Sequence, residues 1–280
     1  MPTCQGLRRG WRILLALICA IAIPEPVLGE SLSAPHVRVE LVAENQSTQA
    51  GRDFALGLLF HLEKGWHVYW RNPGDSGSPP QVAWTLPAGF HAGDIEWPYP
   101  RRIPVGPLMN YGYEDEVLLI TPVHAARQPP SGAAKIGAAL KWVVCQEVCI
   151  AGKGNLSLEV PVASGAPAPS RFHEFFVKTR KLLPRPASAA WKLKAVSLSD
   201  ALVLNGRSQQ PVSAAEFFPV EPLVIENAAP QIFRKHGAKD FSLRMKKNEQ
   251  LNKPVASLKG ILVTGGRAYE VAAPVVAGAR

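Results

Sequence analysis

Hydrophobic and polar residues alternate along much of the chain, and this pattern predicts short β-strands separated by turns. The alternation is clearest in seven segments, residues 37–41, 54–58, 66–70, 191–195, 241–246, 260–264 and 269–271. Glycine and proline punctuate them, most densely at residues 72–80. Many short strands with few helices predict a mainly β fold built from two β-sandwich domains, of which the first is richer in aromatic residues.

A different pattern separates the two β-rich halves. Residues 163–170 contain mainly Ala, Ser, Gly and Pro, as expected for a linker. Phe172, Phe175, Phe176, Thr179, Leu182 and Leu183 then recur at helical spacing. We predict one short amphipathic helix with Ser170 as its N-cap and Pro184 as its stop. The expected organisation is a first domain at residues 30–165, a linker at 166–187 and a second domain at 188–280.

The N-terminus has the pattern of a cleaved secretory signal, since Arg8, Arg9 and Arg12 precede an apolar stretch at residues 13–23. We therefore expect residues 1–29 to be removed and the remainder to be exported to an oxidising compartment. No later segment approaches the roughly 18 apolar residues of a membrane span. Loss of three Arg and one Glu lowers the net charge from +9 to +7. The remaining basic residues are scattered without interleaved aromatics, so we expect no nucleic-acid binding.

Outside the signal segment the only cysteines are Cys145 and Cys149. Four residues of extended strand cover roughly 13 Å, whereas a disulfide needs Cα atoms about 4.4–6.8 Å apart. A bond between them therefore requires a turn at residues 146–148, either a single helical turn or the tip of a β-hairpin. So small a ring removes little chain entropy and is a poor staple. Spacing alone leaves both a local structural disulfide and a redox centre open.

Other polar residues are interpreted as structural. His61 and His67 lie in segments with a β pattern, where structural histidines are commoner than metal ligands. Asp75 and Ser76 follow His67 closely, but they lie in a turn rich in Gly and Pro without the sequence of a nucleophile elbow. We therefore assign no catalytic role to these four residues from the sequence.

Four motifs, in this order, resemble the periplasmic N-terminal domain of the DsbD/ScsB family of thiol:disulfide interchange proteins: GWHVYWRNPGDSG at 65–77, WPYP at 97–100, YGYEDEV at 111–117 and WVVCQEVC at 142–149. The resemblance covers residues 36–162. It extends more loosely into the second domain through FFP at 217–219, AAPQ at 228–231 and GILVTGG at 260–266. It implies an immunoglobulin-like β-sandwich in which Cys145 and Cys149 are the redox-active pair, without a cofactor or a metal.

The family resemblance also implies a loop that covers the disulfide until a partner displaces it. In this sequence the loop corresponds to Met109, Asn110, Tyr111 and Gly112, and the order of the motifs places Trp142 near the disulfide as well. Leu108, Met109 and Asn110 stand where well-studied members have acidic residues and a phenylalanine. This difference argues against acid-assisted proton transfer from the loop.

The same resemblance implies the partners. A thioredoxin-like or membrane DsbD/ScsB-type donor would reduce the pair, and the pair would reduce disulfide-bearing client proteins in the periplasm. The sequence has neither a transmembrane electron channel nor a thioredoxin-like Cys-x-x-Cys motif. We therefore expect the electron donor to be a separate protein.

Two other classes of function compete with thiol exchange. Two reduced cysteines together with Met109 or a histidine could hold Cu(I), which favours soft sulfur ligands, and the ScsB branch is associated with copper tolerance. Alternatively, the chain could be a non-catalytic interaction module with a local structural disulfide. Replacing Cys145 would abolish Cu(I) binding if the chain binds copper, and it would leave function intact if the chain is an interaction module.

Overall fold

The first domain is an antiparallel β-sandwich in this computed structural model, which describes residues 30–129, 132–187 and 191–278. The predicted signal segment, residues 1–29, lies outside the described residues. Eleven strands precede the helix: β1 (Ser31–Ala34), β2 (Val37–Ala43), β3 (Asp53–Leu62), β4 (His67–Gly74), β5 (Gln81–Thr85), β6 (His91–Ala92), β7 (Arg101–Val105), β8 (Leu108–Glu114), β9 (Glu116–His124), β10 (Ala133–Cys145) and β11 (Cys149–Pro161).

Two sheets enclose the core of this domain. One has the strand order β1-β2-β3-β9-β6, and the other has the order β11-β10-β4-β8-β7, with β5 pairing with β10. Their facing side chains form a single apolar cluster that includes Trp66, Val68, Trp70, Tyr111 and Trp142. The predicted alternation of β4 is therefore confirmed for its core face, since Trp66, Val68 and Trp70 all lie in that cluster.

Strand β3 is buried on both faces, so its sequence is apolar at most positions and alternates only in part. Helix α1 (His173–Leu182) lies on the outer face of the first sheet and covers it. Phe172 and Phe176 pack there against Ala55, Leu59 and Leu118. Leu59 is consequently only 1% exposed, although it alternates with the residues that face the core. The predicted connecting helix is thus part of the first domain's packing.

The start of the helix differs from the prediction. The N-cap residue is Phe172 and not Ser170, and no side chain caps the first turn. The Ser170 hydroxyl instead donates a hydrogen bond to the Ala43 carbonyl at 2.6 Å and accepts one from the Phe172 amide at 3.1 Å. Ser170 therefore ties the linker to β2. In the part of the chain that the structure describes, no helix is long and apolar enough to cross a membrane.

The second domain is also built from β-strands: β12 (Arg185–Pro186), β13 (Lys192–Ser197), β14 (Ala201–Arg207), β15 (Glu216–Pro219), β16 (Ile232–Lys235), β17 (Asp240–Lys246), β18 (Ser257–Thr264) and β19 (Arg267–Ala277). The order is β15-β18-β19-β13-β14-β17-β16, and β12 pairs with β19. The long strand β19 pairs with β18 and then, at residues 275–277, with β13. It therefore joins the two layers around a second apolar core.

The two domains share buried side chains. Phe218, on β15 of the second domain, is 1% exposed and belongs to the core cluster of the first domain. Its ring meets Trp70 and Tyr111 edge to face, with centroid distances of 6.3 and 5.2 Å. Aromatic pairs in this geometry are favourable beyond the area that they bury. The second domain thus packs directly on the sheet that carries the two cysteines.

Candidate functional site

Cys145 and Cys149 close the tip of a long β-hairpin. β10 and β11 pair without interruption from Ala133 opposite Pro161 to Cys145 opposite Cys149, and the two sulfur atoms form a disulfide. The connection is residues 146–148, in which the Gln146 amide donates a hydrogen bond to the Val148 carbonyl at 3.1 Å. Of the two turns that the cysteine spacing allowed, the structure has the hairpin.

The two cysteines differ in exposure. Cys145 is 1% exposed, because β4 and β11 flank it within the sheet. Cys149 is exposed at the first position of β11. Val148, next to it, is 63% exposed, although large apolar side chains are mostly buried elsewhere in the domain. Cys149 is therefore the member of the pair that lies at the surface, while Cys145 is sheltered by the protein.

Tyr69 lies beside the accessible sulfur. Strand β4 pairs with β10 so that His67 is opposite Cys145, and Tyr69 follows two residues later on the same face. The Tyr69 hydroxyl oxygen lies 3.6 Å from Cys149 Sγ. Burial raises the pKa of the Tyr69 hydroxyl, which therefore keeps its proton at neutral pH. It is a hydrogen-bond donor positioned at the sulfur that a partner would reach.

A short polar network surrounds these residues. The Ser76 hydroxyl donates to Asn110 Oδ1 at 2.9 Å, and Asn110 Nδ2 lies 3.2 Å from His67 Nε2. Since the Asn110 amide nitrogen can only donate, His67 Nε2 accepts and the imidazole is neutral. Burial lowers the pKa of His67 to about 4, which agrees with the neutral form.

Gly77 allows the loop after β4 to lie against the Tyr69 ring. Its φ is +79°, and a Cβ at this position would lie 2.0 Å from the Tyr69 ring. Any larger residue would have to displace the ring or the loop. The loop backbone packs against one face of the Tyr69 ring and thereby fixes the position of the hydroxyl next to Cys149.

The residues predicted to shield the disulfide lie on both faces of the sheet. Met109, Asn110, Tyr111 and Gly112 belong to β8, which pairs with β4. Asn110 lies on the same face of the sheet as the disulfide and hydrogen-bonds to His67. Tyr111 instead points into the core, where its hydroxyl donates to Asn227 Oδ1 at 2.8 Å. Trp142 is also a core residue and covers Gly152 of the neighbouring strand. The shielding role of these residues stays a prediction.

Sequence reasoning missed three residues of this site. Tyr69 was treated only as part of an alternating strand, and His67 and Ser76 were interpreted as structural. The one available signal was their common motif, since all three lie within residues 65–77.

Among the described residues, the structure shows no cluster of three or more His, Cys, Asp or Glu side chains that could hold a metal ion.

The chain is similar to known proteins in sequence and in fold. Residues 38–161 match the family described as "Thiol:disulfide interchange protein DsbD, N-terminal". The fold is similar to the crystal structure of the N-terminal periplasmic domain of ScsB from Proteus mirabilis, with 19% identity and a TM-score of 0.68 over 89% of this chain and 98% of that one. A conserved domain protein from Bacillus anthracis is far less similar, with 8% identity and a TM-score of 0.29 over 84% of this chain and 75% of that one. No curated protein sequence matches the chain.

Proposed function

We propose that this chain passes reducing equivalents by thiol:disulfide exchange through Cys145 and Cys149. The match of residues 38–161 to the family of DsbD N-terminal domains supports this proposal. The observation that carries the proposal is the asymmetry of the disulfide. One cysteine is exposed at a hairpin tip and the other is buried beneath it. A structural staple has no need of an accessible sulfur, whereas exchange begins by attack on one.

The asymmetry assigns a role to each cysteine. A thiolate of the donor attacks Cys149 Sγ and forms a mixed disulfide, and the electron pair of the broken bond goes to Cys145 Sγ, which takes up a proton. The second thiol of the donor then releases Cys149 as a thiolate. Overall, the donor loses two electrons and two protons and becomes a disulfide, and this chain becomes a dithiol.

The second half of the cycle runs in the opposite sense. The Cys149 thiolate attacks a disulfide of the client protein, and Cys145 then attacks Cys149 Sγ in the mixed disulfide and releases the reduced client. Cys149 is thus the residue that contacts both partners. Val148, exposed beside it, offers these partners an apolar contact.

Tyr69 supports the attacking state of Cys149. A thiolate, and not a thiol, is the nucleophile in exchange. A hydrogen bond to the charged form of a group favours that form. The Tyr69 hydroxyl, which lies 3.6 Å from Cys149 Sγ in the disulfide, is placed to donate such a bond to the thiolate once the pair is reduced. This donor replaces the helix N-terminus that activates cysteines in many other redox proteins.

The partners and the compartment form part of the same proposal. We infer a thioredoxin-like or membrane DsbD/ScsB-type donor, disulfide-bearing clients, and a periplasmic location reached through a signal at residues 1–29. The family match supports the type of partner, and the similarity of fold to a periplasmic domain supports the compartment. No cofactor is needed, because both electrons are carried by the cysteine pair.

Alkylation of the reduced, folded protein tests the proposal. Iodoacetamide should label Cys149 at neutral pH, while Cys145 stays unlabelled until the protein is unfolded. Reduced thioredoxin should also reduce the Cys145–Cys149 disulfide, as followed by the increase in mass of this chain when its new thiols are alkylated. A Cys149 that is inert towards both reagents in the folded protein would contradict thiol exchange and favour the structural disulfide.

A further inference from the structure

Asn227, which lies in the second domain, reaches into the polar network beside the redox pair of the first. It is 4% exposed, and both ends of its side-chain amide are hydrogen-bonded. The oxygen accepts from the Tyr111 hydroxyl at 2.8 Å, and the nitrogen donates to Asp75 Oδ1 at 2.8 Å. A buried amide with both ends paired fixes its partners in position, because moving either partner leaves a buried polar group unsatisfied.

Asp75 links this amide to the strand that carries the predicted shielding residues. Its second oxygen, Oδ2, accepts from the Met109 amide at 2.8 Å, and its own amide donates to the Met109 carbonyl at 3.1 Å. Gly74, just before it, has φ +87°, and a Cβ there would lie 2.4 Å from the Met109 carbonyl oxygen. The loop after β4 and the start of β8 are thus held tightly together.

Ser76 and Gly77, the next residues in the loop, contact the network beside the disulfide. The Ser76 hydroxyl donates to Asn110, and the Gly77 backbone lies against the ring of Tyr69, whose hydroxyl lies 3.6 Å from Cys149 Sγ. Neighbouring residues of one loop therefore contact the second domain on one side and the redox site on the other. The path from Asn227 to the sulfur runs through Asp75, the loop backbone up to Gly77, and Tyr69.

Other contacts hold the second domain to β4 and β7, the strands on either side of β8. Asn72 Nδ2 donates to the Pro219 carbonyl at 2.8 Å, and the Arg102 guanidinium donates to the carbonyl oxygens of Asn227 and Ala229 at 2.6 and 3.2 Å. Both donors belong to the first domain and both sets of acceptors to the second. The segment that contains Asn227 is thus itself fixed against the sheet of the redox pair.

We propose that Asn227 is a positioning residue of the Cys149 site, which holds the loop of Asp75 and Ser76 so that the Tyr69 hydroxyl stays at the Cys149 sulfur. The second domain is then part of the exchange machinery, although it supplies neither cysteine. This inference rests on the proposed function, in which the Cys149 thiolate is the attacking group.

The test compares Asn227→Ala with Gln231→Ala. Gln231 is a suitable control because its amide also makes two hydrogen bonds, both to Phe217 within the second domain. The rate of Cys149 alkylation by iodoacetamide is measured between pH 5 and pH 10 in each reduced protein. With Asn227→Ala, the midpoint of the profile should rise by about half a pH unit to one pH unit, which lowers the thiolate fraction at pH 7 by roughly threefold to tenfold. Gln231→Ala should leave the profile unchanged.

Milder variants keep the test decisive if Asn227→Ala does not fold. Tyr111→Phe removes only the hydroxyl that Asn227 accepts from, and it should raise the midpoint in the same direction by a smaller amount. A double-mutant cycle of Asp75→Asn and Asn227→Ala gives an independent readout. If the path runs through Asp75, the double variant should have a midpoint close to that of the more affected single variant, not the sum of the two changes.

The outcomes separate this inference from the proposed function. A Cys149 that is inert even in the unsubstituted protein would overturn both. A reactive Cys149 whose pH profile is the same in the unsubstituted protein, Asn227→Ala and Tyr111→Phe would overturn the role of Asn227 alone. Equal changes with Asn227→Ala and Gln231→Ala would also overturn it, because they would indicate a general loss of stability in the second domain.

Discussion

The Tyr69 hydroxyl lies 3.6 Å from Sγ of Cys149, the exposed cysteine of the disulfide. The two residues are 80 positions apart, and strand pairing brings them together, since β4 lies beside the hairpin strand β10. The contact gives a buried donor to an exposed sulfur. It therefore provides a way to stabilise a thiolate at a hairpin tip, where no helix dipole is available.

Replacing Tyr69 by Phe should remove this donor and keep the ring that packs against the loop. We expect the midpoint of Cys149 alkylation to rise by about one pH unit, because a hydrogen bond to a charged group contributes roughly 1.5–3 kcal/mol and one pKa unit corresponds to about 1.4 kcal/mol. Tyr113→Phe is the matched control. Its hydroxyl donates to the Pro98 carbonyl at 2.7 Å, and its side chain faces the core. Equal midpoints for the two variants would contradict the role of Tyr69.

His67 should make folding stability depend on pH. Its pKa is about 4 in the folded protein, against an ordinary value of 6.5, because burial disfavours the charged imidazolium. Between these values the unfolded chain binds a proton that the folded protein does not. The stabilisation is therefore complete above about pH 6.5 and is lost as the pH falls towards 4.

Urea unfolding at pH 7 and pH 4.5 measures this effect. In the unsubstituted protein His67 should account for a loss of roughly 2 kcal/mol in the free energy of unfolding over this interval. His67→Gln should lose that much less on acidification, whereas His91→Gln, on an exposed residue of β6, should behave like the unsubstituted protein. Identical losses in all three proteins would exclude His67 as the titrating group.

Gly77→Ala should impair both stability and exchange. The new methyl group would meet the Tyr69 ring at 2.0 Å, and the backbone has φ +79°. Gly106→Ala shares the strained backbone, with φ +56°, but its methyl group would meet nothing within 4 Å. Each should lose about 1–3 kcal/mol for the backbone alone. Only Gly77→Ala should be destabilised further and react more slowly at Cys149. Equal effects of the two substitutions would show that the contact between Gly77 and the Tyr69 ring does not matter.

Phe218→Ala should destabilise the first domain, although the residue belongs to the second. The ring fills the core of the first domain against Trp70 and Tyr111, so its loss should cost about 3–5 kcal/mol. Tryptophan fluorescence during urea unfolding, measured in a Trp191→Phe background, reports on Trp70 and the other tryptophans of the first domain. Phe233→Ala is the comparison, because Phe233 is half-buried and stacks on Phe241 within the second domain. The shared core would be contradicted if only Phe233→Ala shifted the fluorescence transition.

The sequence predicted what depends on local spacing. Alternating apolar residues predicted the strands, and the distance between Cys145 and Cys149 required a turn that the structure shows as a hairpin tip. The burial of Leu59 on the outer face of its strand could not be predicted, because it depends on a helix more than 100 residues later. The site showed the same limit. Tyr69 and His67 occupy the positions between apolar residues, and only the pairing of β4 with β10 reveals that they face the disulfide.

The contacts between the two domains could not be predicted from a single sequence. Asn227 and Asp75 are 152 residues apart, and neither has a local pattern that points to the other. A single Asn between apolar segments has the appearance of a turn residue. Its role follows from the packing of Phe218 into the first core, which places the segment of Asn227 against the sheet of the redox pair.

Trapping of mixed disulfides tests the exchange mechanism most directly. The Cys145→Ser and Cys149→Ser variants are each mixed with a thioredoxin-like protein whose second active-site cysteine is replaced by serine and whose first is activated as a mixed disulfide with a chromogenic thiol. Cys145→Ser keeps the exposed sulfur and should accumulate the covalent complex rapidly. Cys149→Ser keeps only the buried sulfur and should form little or none. A complex that forms preferentially with Cys149→Ser, or with neither variant, would contradict exchange through Cys149.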